Sequence, residues 1–454
     1  MDISRTIAAV ATPTGTGALA IIRISGKTAF EKVSHCFFSP EKFLKAETGK
    51  IYLHKFKKFG KEQVIDEVTV IKYSEPHSYT GENMVEIFCH GGPYIVRSII
   101  QELNASGIDG AQKGEFTRRA FLNGKMDLTK AEAVKTVIEC KNDIENRIAI
   151  SALDGEQKRR LEKWKEEIIK VLIQIETEIE FEEDHDVITE KTGKTKILDL
   201  IAIIKEDLKK RGKIKEIEGG FRIVIAGPAN AGKSTLFNQM IGYQRALTHK
   251  EPGTTRDWIS EKWYLEGNEI LLIDTAGIRE TDNEVEKAGI DRSLHEIGRA
   301  NITIWVTSAD EELSTEEIEN IKELSGKNSL FIINKTDLNK NESKENLFKT
   351  EGITVYKTSL TRDKYVQNIT DEINSRISSI KNTIEFPDII SSVRQENIAR
   401  DMVDVLKESV ENWGRAEIAA HYLNEALECI EEIIGKKDNE EVLNRIFEGF
   451  CIGK

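Results

Sequence analysis

Residues 221–240 read FRIVIAGPANAGKSTLFNQM, and this stretch decides the architecture of the middle of the chain. A β-branched apolar run ends at Gly227, and Gly232, Lys233 and Ser234 open a segment with a helical pattern. The spacing is GxxxxGK[ST]. In such a loop, backbone N–H groups converge on phosphates at a helix N-terminus, a lysine meets the terminal phosphates, and a hydroxyl ligates Mg²⁺. Working outward, the runs EILLID, ITIWVTS, SLFIIN and ITVYKTS alternate with helical patterns. That alternation predicts a parallel sheet wrapped by helices.

Four further motifs follow in the order a guanine-nucleotide site requires. Asn230, Ala231, Gly232, Lys233, Ser234 and Thr235 are expected around the phosphates. In GTTRD, Thr255 completes the Mg²⁺ set with Ser234. Asp274, Thr275, Ala276 and Gly277 stand at the end of EILLI, where Asp274 reaches Mg²⁺ through water and the Gly277 N–H meets the γ-phosphate. Asn334, Lys335 and Asp337 form NKTD, whose carboxylate accepts the N1–H and 2-amino group of guanine. Adenine lacks that donor pair, and leaving the carboxylate unpaired costs about 1–3 kcal/mol. Ser359 and Leu360 of KTSL stand where a backbone N–H meets the guanine carbonyl, on a weak match. The residue after DTAG is Ile278, which cannot orient water as the Ras glutamine does. Arg279, Glu280, Glu284 and Glu286 are candidates for that task, against a solvated loop. Asn230 could help bind a monovalent cation beside the phosphates.

The flanks are different. Residues 1–125 mix strand patterns (VIDEVTVIKY, NMVEIFCHGG) with one helical segment after residue 92, an α+β order. Residues 126–215 and 384–454 are helical, the latter with Val393, Ile398, Met402, Val405 and Leu406 on one face. The expectation is a multidomain chain: an α+β N-terminal domain (1–125), a split α-helical domain (126–215 and 384–454), and an inserted α/β P-loop GTPase domain (216–383). Insertion suits a unit whose ends lie close together.

Composition bounds what remains. A net charge of -13 argues against coating nucleic acid by bulk charge, although Lys113, Arg118, Arg119, Lys125, Lys130 and Lys135 could meet phosphates or simply face solvent. The 5 cysteines, Cys36, Cys89, Cys140, Cys429 and Cys451, are odd in number and contain no CxxC, which suits a reducing, cytoplasmic setting. His35-Cys36 with Cys89-His90 as a zinc set, and the acidic run 182–186 as a divalent-ion site, are both weaker than structural readings. No apolar run is long enough for a membrane span.

Beyond the nucleotide motifs, the chain carries ATPTGTGALAIIRISG, TGENMVEIFCHGG, GEFTRRAFLNGKMDLTKAEAV, DTAGIRETDNEVEKAGI and a terminal FCIGK. With these it resembles the MnmE (TrmE) family of tRNA-modifying GTPases along its whole length. The resemblance implies a tetrahydrofolate-binding, dimerising N-terminal domain with Arg23, Glu86, Lys125 and Lys454 at the folate. It implies K⁺ held by Asn230, by backbone groups near His249 and Glu251, and by Thr254. Glu286 then orients the attacking water, and Cys451 serves the modification reaction. It further implies a homodimer, joined with the flavoprotein MnmG (FAD, NADH) in a heterotetramer or larger assembly. The two act on tRNA and place an aminomethyl or carboxymethylaminomethyl group at C5 of the wobble uridine. The one-carbon unit comes from 5-formyl- or methylene-tetrahydrofolate. The competing readings are a potassium-dependent ribosome-assembly GTPase and a GTP-gated scaffold with no modification chemistry of its own.

Overall fold

The computed structural model describes residues 4–180, 187–248, 260–275, 295–338, 342–360, 364–386, 390–436 and 440–454. Its N-terminal part carries β1 (Ile7–Val10), β2 (Leu19–Ser25), α1 (Ala29–Ser34), α2 (Pro40–Lys45), β3 (Ile51–Lys57), β4 (Val64–Tyr73), β5 (Met84–His90), α3 (Pro93–Ala105), β6 (Asp109–Gly110) and α4 (Glu115–Leu122). Helices α5 (Leu128–Glu139), α6 (Asp143–Leu153), α7 (Glu156–Glu180) and α8 (Val187–Lys215) follow. The α/β part holds β7 (Phe221–Ala226), α9 (Lys233–Thr248), β8 (Ser260–Leu265), β9 (Asn268–Asp274), β10 (Ile302–Ser308), α10 (Thr315–Ser325), β11 (Ser329–Asn334), α11 (Glu342–Thr350), β12 (Val355–Lys357) and α12 (Lys364–Asn382). The chain closes with α13 (Val393–Glu411), α14 (Ala416–Ile434) and α15 (Glu440–Glu448).

Two compact units result. The first takes Met1–Lys135, Ser151–Ala202 and Ser392–Lys454; the second takes Thr136–Ile150 and Ile203–Ser391. In the first unit the sheet order is β3-β4-β5-β2-β1-β6. Alternation sorts its residues between faces: Ala20, Ile22, Ile24, Val68, Val70, Val85 and Ile87 enter a core with Phe37, Phe43, Phe56, Ile99 and Leu103. The register aligns Leu53, Thr69, Phe88 and Ile21 in one row of the other face, and Ile51, Ile71, Glu86 and Arg23 in the next.

The helices of this unit come from both ends of the sequence. Glu132 on α5 accepts from Arg394 Nε (2.9 Å) and Nη2 (3.0 Å) and from Gln395 Nε2 (2.8 Å) at the start of α13. Ser392 caps α13 through the Gln395 N–H. Helix α14 packs on α13 and α7, with Lys165 of α7 bonded to Glu431 of α14 at 2.6 Å. The buried stripe of α13 is Gln395, Ile398, Ala399, Met402, Val403 and Leu406. Val393 departs from its expected place and is exposed, because it is the first helical residue and sits before the stripe begins.

The second unit's sheet has the order β12-β11-β10-β7-β9-β8, parallel except for the β8–β9 pair. Strand β7 lies between β10 and β9, so the chain reverses its direction of strand addition there. The loop after β7 is thus the topological switch point, where ligands of open α/β sheets bind. Ile223, Ile225, Ile270, Leu272, Ile304 and Val306 form the centre of its core, joined by Ile144 and Ile148 of α6. No helix among the described residues is long and apolar enough to cross a membrane.

Candidate functional site

Strand β7 delivers Gly227 to the edge of β10, where its φ is +138° and an added Cβ would lie 2.0 Å from the Val306 carbonyl oxygen. Only glycine passes this point, because 2.0 Å to a backbone atom leaves no side chain to move aside. The loop then wraps to Gly232 (φ +103°), whose added Cβ would meet Asn334 Nδ2 at 2.2 Å. Asn334 is the clamp here. Its Nδ2 donates to Ala231 O (2.9 Å), and its Oδ1 accepts the Leu360 N–H (3.2 Å). One buried side chain therefore holds the phosphate loop against the segment that carries Ser359 and Leu360. Gln239 of α9 adds a bond to the Leu360 carbonyl.

A cleft of about 910 Å³ opens over these elements, lined by Asn230, Gly232, Lys233, Ser234, Thr235, Asn334, Lys335, Asp337, Ser359 and Leu360, and also by Glu311 and Leu338. Ala231 is buried beneath it. Lys233 is buried and its Nζ donates to Pro228 O at 2.6 Å. Asn230 and Lys335 have φ of 57° and 60°, left-handed values that strain a non-glycine residue and cluster at ligand clamps. Asp274 and Thr275 are buried at the end of β9, where Thr275 Oγ1 donates to Ile225 O (2.9 Å). His249, Glu251, Thr254, Thr255, Ala276, Gly277 and Glu286 lie outside the described residues, as do Ile278, Arg279, Glu280, Glu284 and the acidic run 182–186.

A second constellation forms on the N-terminal sheet. Arg23 of β2 faces Glu86 of β5 in register, with Nη2 2.8 Å and Nε 3.0 Å from Oε1. Tyr73 of β4 donates its hydroxyl to Glu86 Oε2 at 3.2 Å, and the Arg23 guanidinium lies over the rings of Tyr79 (5.5 Å) and Phe116 (5.9 Å). The chain's last residues thread in beside them. Gly453 O accepts from Arg23 Nη1 (3.4 Å), Lys454 O from the Phe116 N–H (3.2 Å), and Cys451 O from the Gly114 N–H (3.4 Å). Ile452 bridges Lys113. Cys451 itself is exposed. Burial, with Arg23 alongside, holds the Lys454 ammonium below the usual lysine range. Lys125 joins none of these: it is exposed and its Nζ donates to Pro76 O (2.9 Å).

Residues 6–125 match the family described as GTP-binding protein TrmE N-terminus, and residues 128–451 match the MnmE helical domain. The chain belongs to the MnmE family of tRNA modification GTPases. It is 36% identical to the tRNA modification GTPase MnmE of Aquifex aeolicus (strain VF5) over 456 residues, 99% of each chain. The Thermotoga petrophila protein of that name is 36% identical, covering 99% of this chain and 100% of its own. The Clostridioides difficile (strain 630) protein is 35% identical, with 100% of both chains covered.

The MnmE-type arrangement contains residues that sequence motifs did not single out. Tyr73 and Tyr79 lie outside the quoted family motifs, and Phe116 lies within GEFTRRAFLNG without being singled out there. Tyr73 could be found only from strand register, being two residues beyond Ile71, which pairs with Glu86. The basic stretch divides differently from its charge. Arg119 is buried between Glu115 (2.7 Å) and Glu82 (3.0 Å), and Arg118 is bonded to Asn444 Oδ1 (2.7 Å). These two arginines hold the fold and do not face phosphates. Cys36 and Cys89 are core residues whose thiols donate to Glu102 O and Ala20 O, and burial pushes both up to about 11.

Proposed function

We propose that this GTPase couples GTP hydrolysis to modification of the wobble uridine of tRNA in the cytoplasm, as one member of a two-protein system. Its partner is the flavoprotein MnmG, which brings FAD and NADH, in a heterotetramer or larger assembly. Together they attach an aminomethyl or carboxymethylaminomethyl group at C5, with the one-carbon unit taken from 5-formyl- or methylene-tetrahydrofolate. The observation that carries this reading is the docking of the FCIGK tail against the Arg23–Glu86 pair. A folate offers carboxylates and a ring bearing N–H donors. Two cations, Arg23 and Lys454, beside one acceptor, Glu86, are the complementary set. Cys451 stands exposed at the same tail and is assigned to the modification chemistry.

In the G domain, Asp337 selects guanine, while Lys233 and the loop N–H groups of residues 230–235 take the phosphates. Ser234 and Thr255 are the Mg²⁺ ligands, with Asp274 behind them. Asn230, Thr254 and the backbone near His249 and Glu251 form the K⁺ site. The donor chemistry fits, since Ser234 and Asn230, whose side chains carry oxygen, both line the cleft. The bound cations supply positive charge to the β/γ bridge. Glu286 orients the attacking water, and the Gly277 N–H, next to Thr275 and Ala276 of the same nucleotide-binding segment, meets the γ-phosphate. Homodimerisation is supported by the exposed apolar side chains of the N-terminal sheet, Leu19, Ile51 and Leu53, which are 66%, 67% and 59% exposed. A monomer in sedimentation at micromolar concentration would remove that part of the reading.

The test is a deletion strain analysed for tRNA nucleosides by mass spectrometry. The 5-substituted wobble uridines should vanish and return with the wild-type gene, but not with Cys451→Ser. Unchanged nucleosides in the deletion strain, with no second gene copy, would overturn the reading. Arg23→Ala should weaken binding of 5-formyl-tetrahydrofolate at least about tenfold, the scale of one lost charge-assisted bond. Titration calorimetry on the purified protein checks this, and unchanged affinity would take Arg23 out of the site.

A further inference from the structure

We propose that Asp310, which belongs to none of the five nucleotide motifs, is a positioning residue for the guanine site and acts through Lys335. The inference rests on the reading of the cleft as a guanine-nucleotide site and adds a specific part to it. Lys335 lines the cleft beside Asp337 and holds a left-handed backbone, φ 60°. At that conformation its long side chain needs an anchor to stay in one place, because an unrestrained lysine retains several rotamers. The anchor is Asp310 Oδ2, 3.3 Å from Lys335 Nζ. Both side chains are about one-third exposed, 29% and 34%, so the pair matters for geometry more than for folding stability.

Asp310 is itself held. Its Oδ1 accepts from Ser308 Oγ, and the Ser308 hydroxyl and the Lys335 ammonium keep its carboxyl below the usual aspartate range, the hydroxyl contributing most. The strand end beneath is fixed by Lys344 of α11. That residue is buried, and its Nζ donates to Thr307 Oγ1 (3.0 Å) and Ser308 O (2.6 Å). The relay therefore runs from a buried ammonium, through the end of β10, to Asp310 and on to Lys335. Ala309 N–H bonds Asn334 O (2.8 Å), which ties the same loop to the NKTD segment from the other side. Placing Lys335 this way sets its aliphatic chain as a wall of the base-binding end, with Leu338 also lining the cleft. That contact is with the flat face of a purine and does not depend on the 2-amino group. Reading the 2-amino group belongs to Asp337.

The two roles separate in one experiment. Full-length protein is titrated with GDP and with IDP, which lacks the 2-amino group, by calorimetry. Asp310→Ala should raise both dissociation constants by the same factor, roughly three- to tenfold, so that the GDP:IDP ratio stays constant. Asp310→Asn, which keeps the acceptor and loses the charge, should recover part of the loss. In a Lys335→Ala background, Asp310→Ala should add nothing, whereas a general structural role would cost the same in both backgrounds. Unchanged GDP affinity in Asp310→Ala overturns the proposal. So does an altered GDP:IDP ratio, or full additivity with Lys335→Ala. If the wild type binds neither nucleotide, the guanine reading of the cleft fails instead, and the thermal midpoint of each variant reports whether it folds.

Discussion

Gly227→Ala is expected to remove guanine-nucleotide binding. The residue leaves β7 at φ +138° with the Val306 carbonyl oxygen 2.0 Å from where a Cβ would stand. Real Cβ contacts do not come this close, so the phosphate loop or strand β10 must move by about an ångström. Neither can do so freely. Strand β10 is paired to β7 on one side and β11 on the other, and the loop is bonded through Ala231 O to Asn334. A φ that only glycine tolerates and an overpacked backbone together cost about 3–5 kcal/mol. Charged to the loop, this is roughly a hundredfold or more in affinity for GDP. Charged to the fold, it appears as a lower thermal midpoint of the G domain. Titration calorimetry and a melting curve read both, and GDP binding within threefold of wild type at an unchanged midpoint would refute the argument.

The second large effect is in the C-terminal FCIGK segment. Gly453→Ala should release the tail from the N-terminal sheet. Gly453 has φ +94°, and its added Cβ would stand 2.4 Å from Val10 O and 3.1 Å from Ala11 Cα. What lies upstream stays anchored. Leu443, Phe447 and Phe450 pack with Leu128 and Ala131 in their own cluster, so the lesion is confined to the last four residues. The Phe116 and Gly114 N–H groups lose Lys454 O and Cys451 O as acceptors, and Arg23 loses Gly453 O. A local cost of about 2–3 kcal/mol raises the opening of these amides roughly a hundredfold, readable by hydrogen exchange at residues 114 and 116. Exchange at wild-type rates, with the domain otherwise protected, would mean that the tail accommodates the methyl group. The variant should also weaken 5-formyl-tetrahydrofolate binding in the assay applied to Arg23→Ala. A loss of exchange protection without that weakening would separate the tail's docking from the folate site.

How much of this was legible beforehand depends on the range of the forces involved. The G domain's strands and phosphate loop were readable because local chemistry determines them. A β-branched run makes the strand, glycines make the turn, and a lysine and a serine at fixed offsets serve the phosphates, all within about twenty residues. Even there the last strand is shorter than the ITVYKTS run, Val355–Lys357, although its ladder with β11 still includes the Thr358 N–H, which donates to Ile333 O. The role of Asn334 as clamp was not readable. It needs residues 231, 334 and 360 to meet, and nothing in NKTD states that its first residue faces the phosphate loop.

The N-terminal domain divides in the same way. Alternation in VIDEVTVIKY and NMVEIFCHGG was enough for strands, and the resemblance named Arg23, Glu86, Lys125 and Lys454, of which Lys125 lies apart on Pro76 O. That Arg23 and Glu86 are opposed on adjacent interior strands is a matter of register, because a slip of one residue would send every side chain to the other face. The charges of Arg118 and Arg119 suggested either a phosphate surface or a solvated helix face. Only the packed structure turned them inward, where Glu115 and Glu82 pair with Arg119 and Asn444 accepts from Arg118. Sequence by itself determined that the chain is a GTPase, since the motifs for that chemistry are short and contiguous. Tertiary structure decided how distant groups touch: Arg23 on the Gly453 carbonyl, Asn334 on the Leu360 N–H, and Asp310 on Lys335. Each of these pairs is joined by the folding of strands across the chain, and no local propensity encodes it.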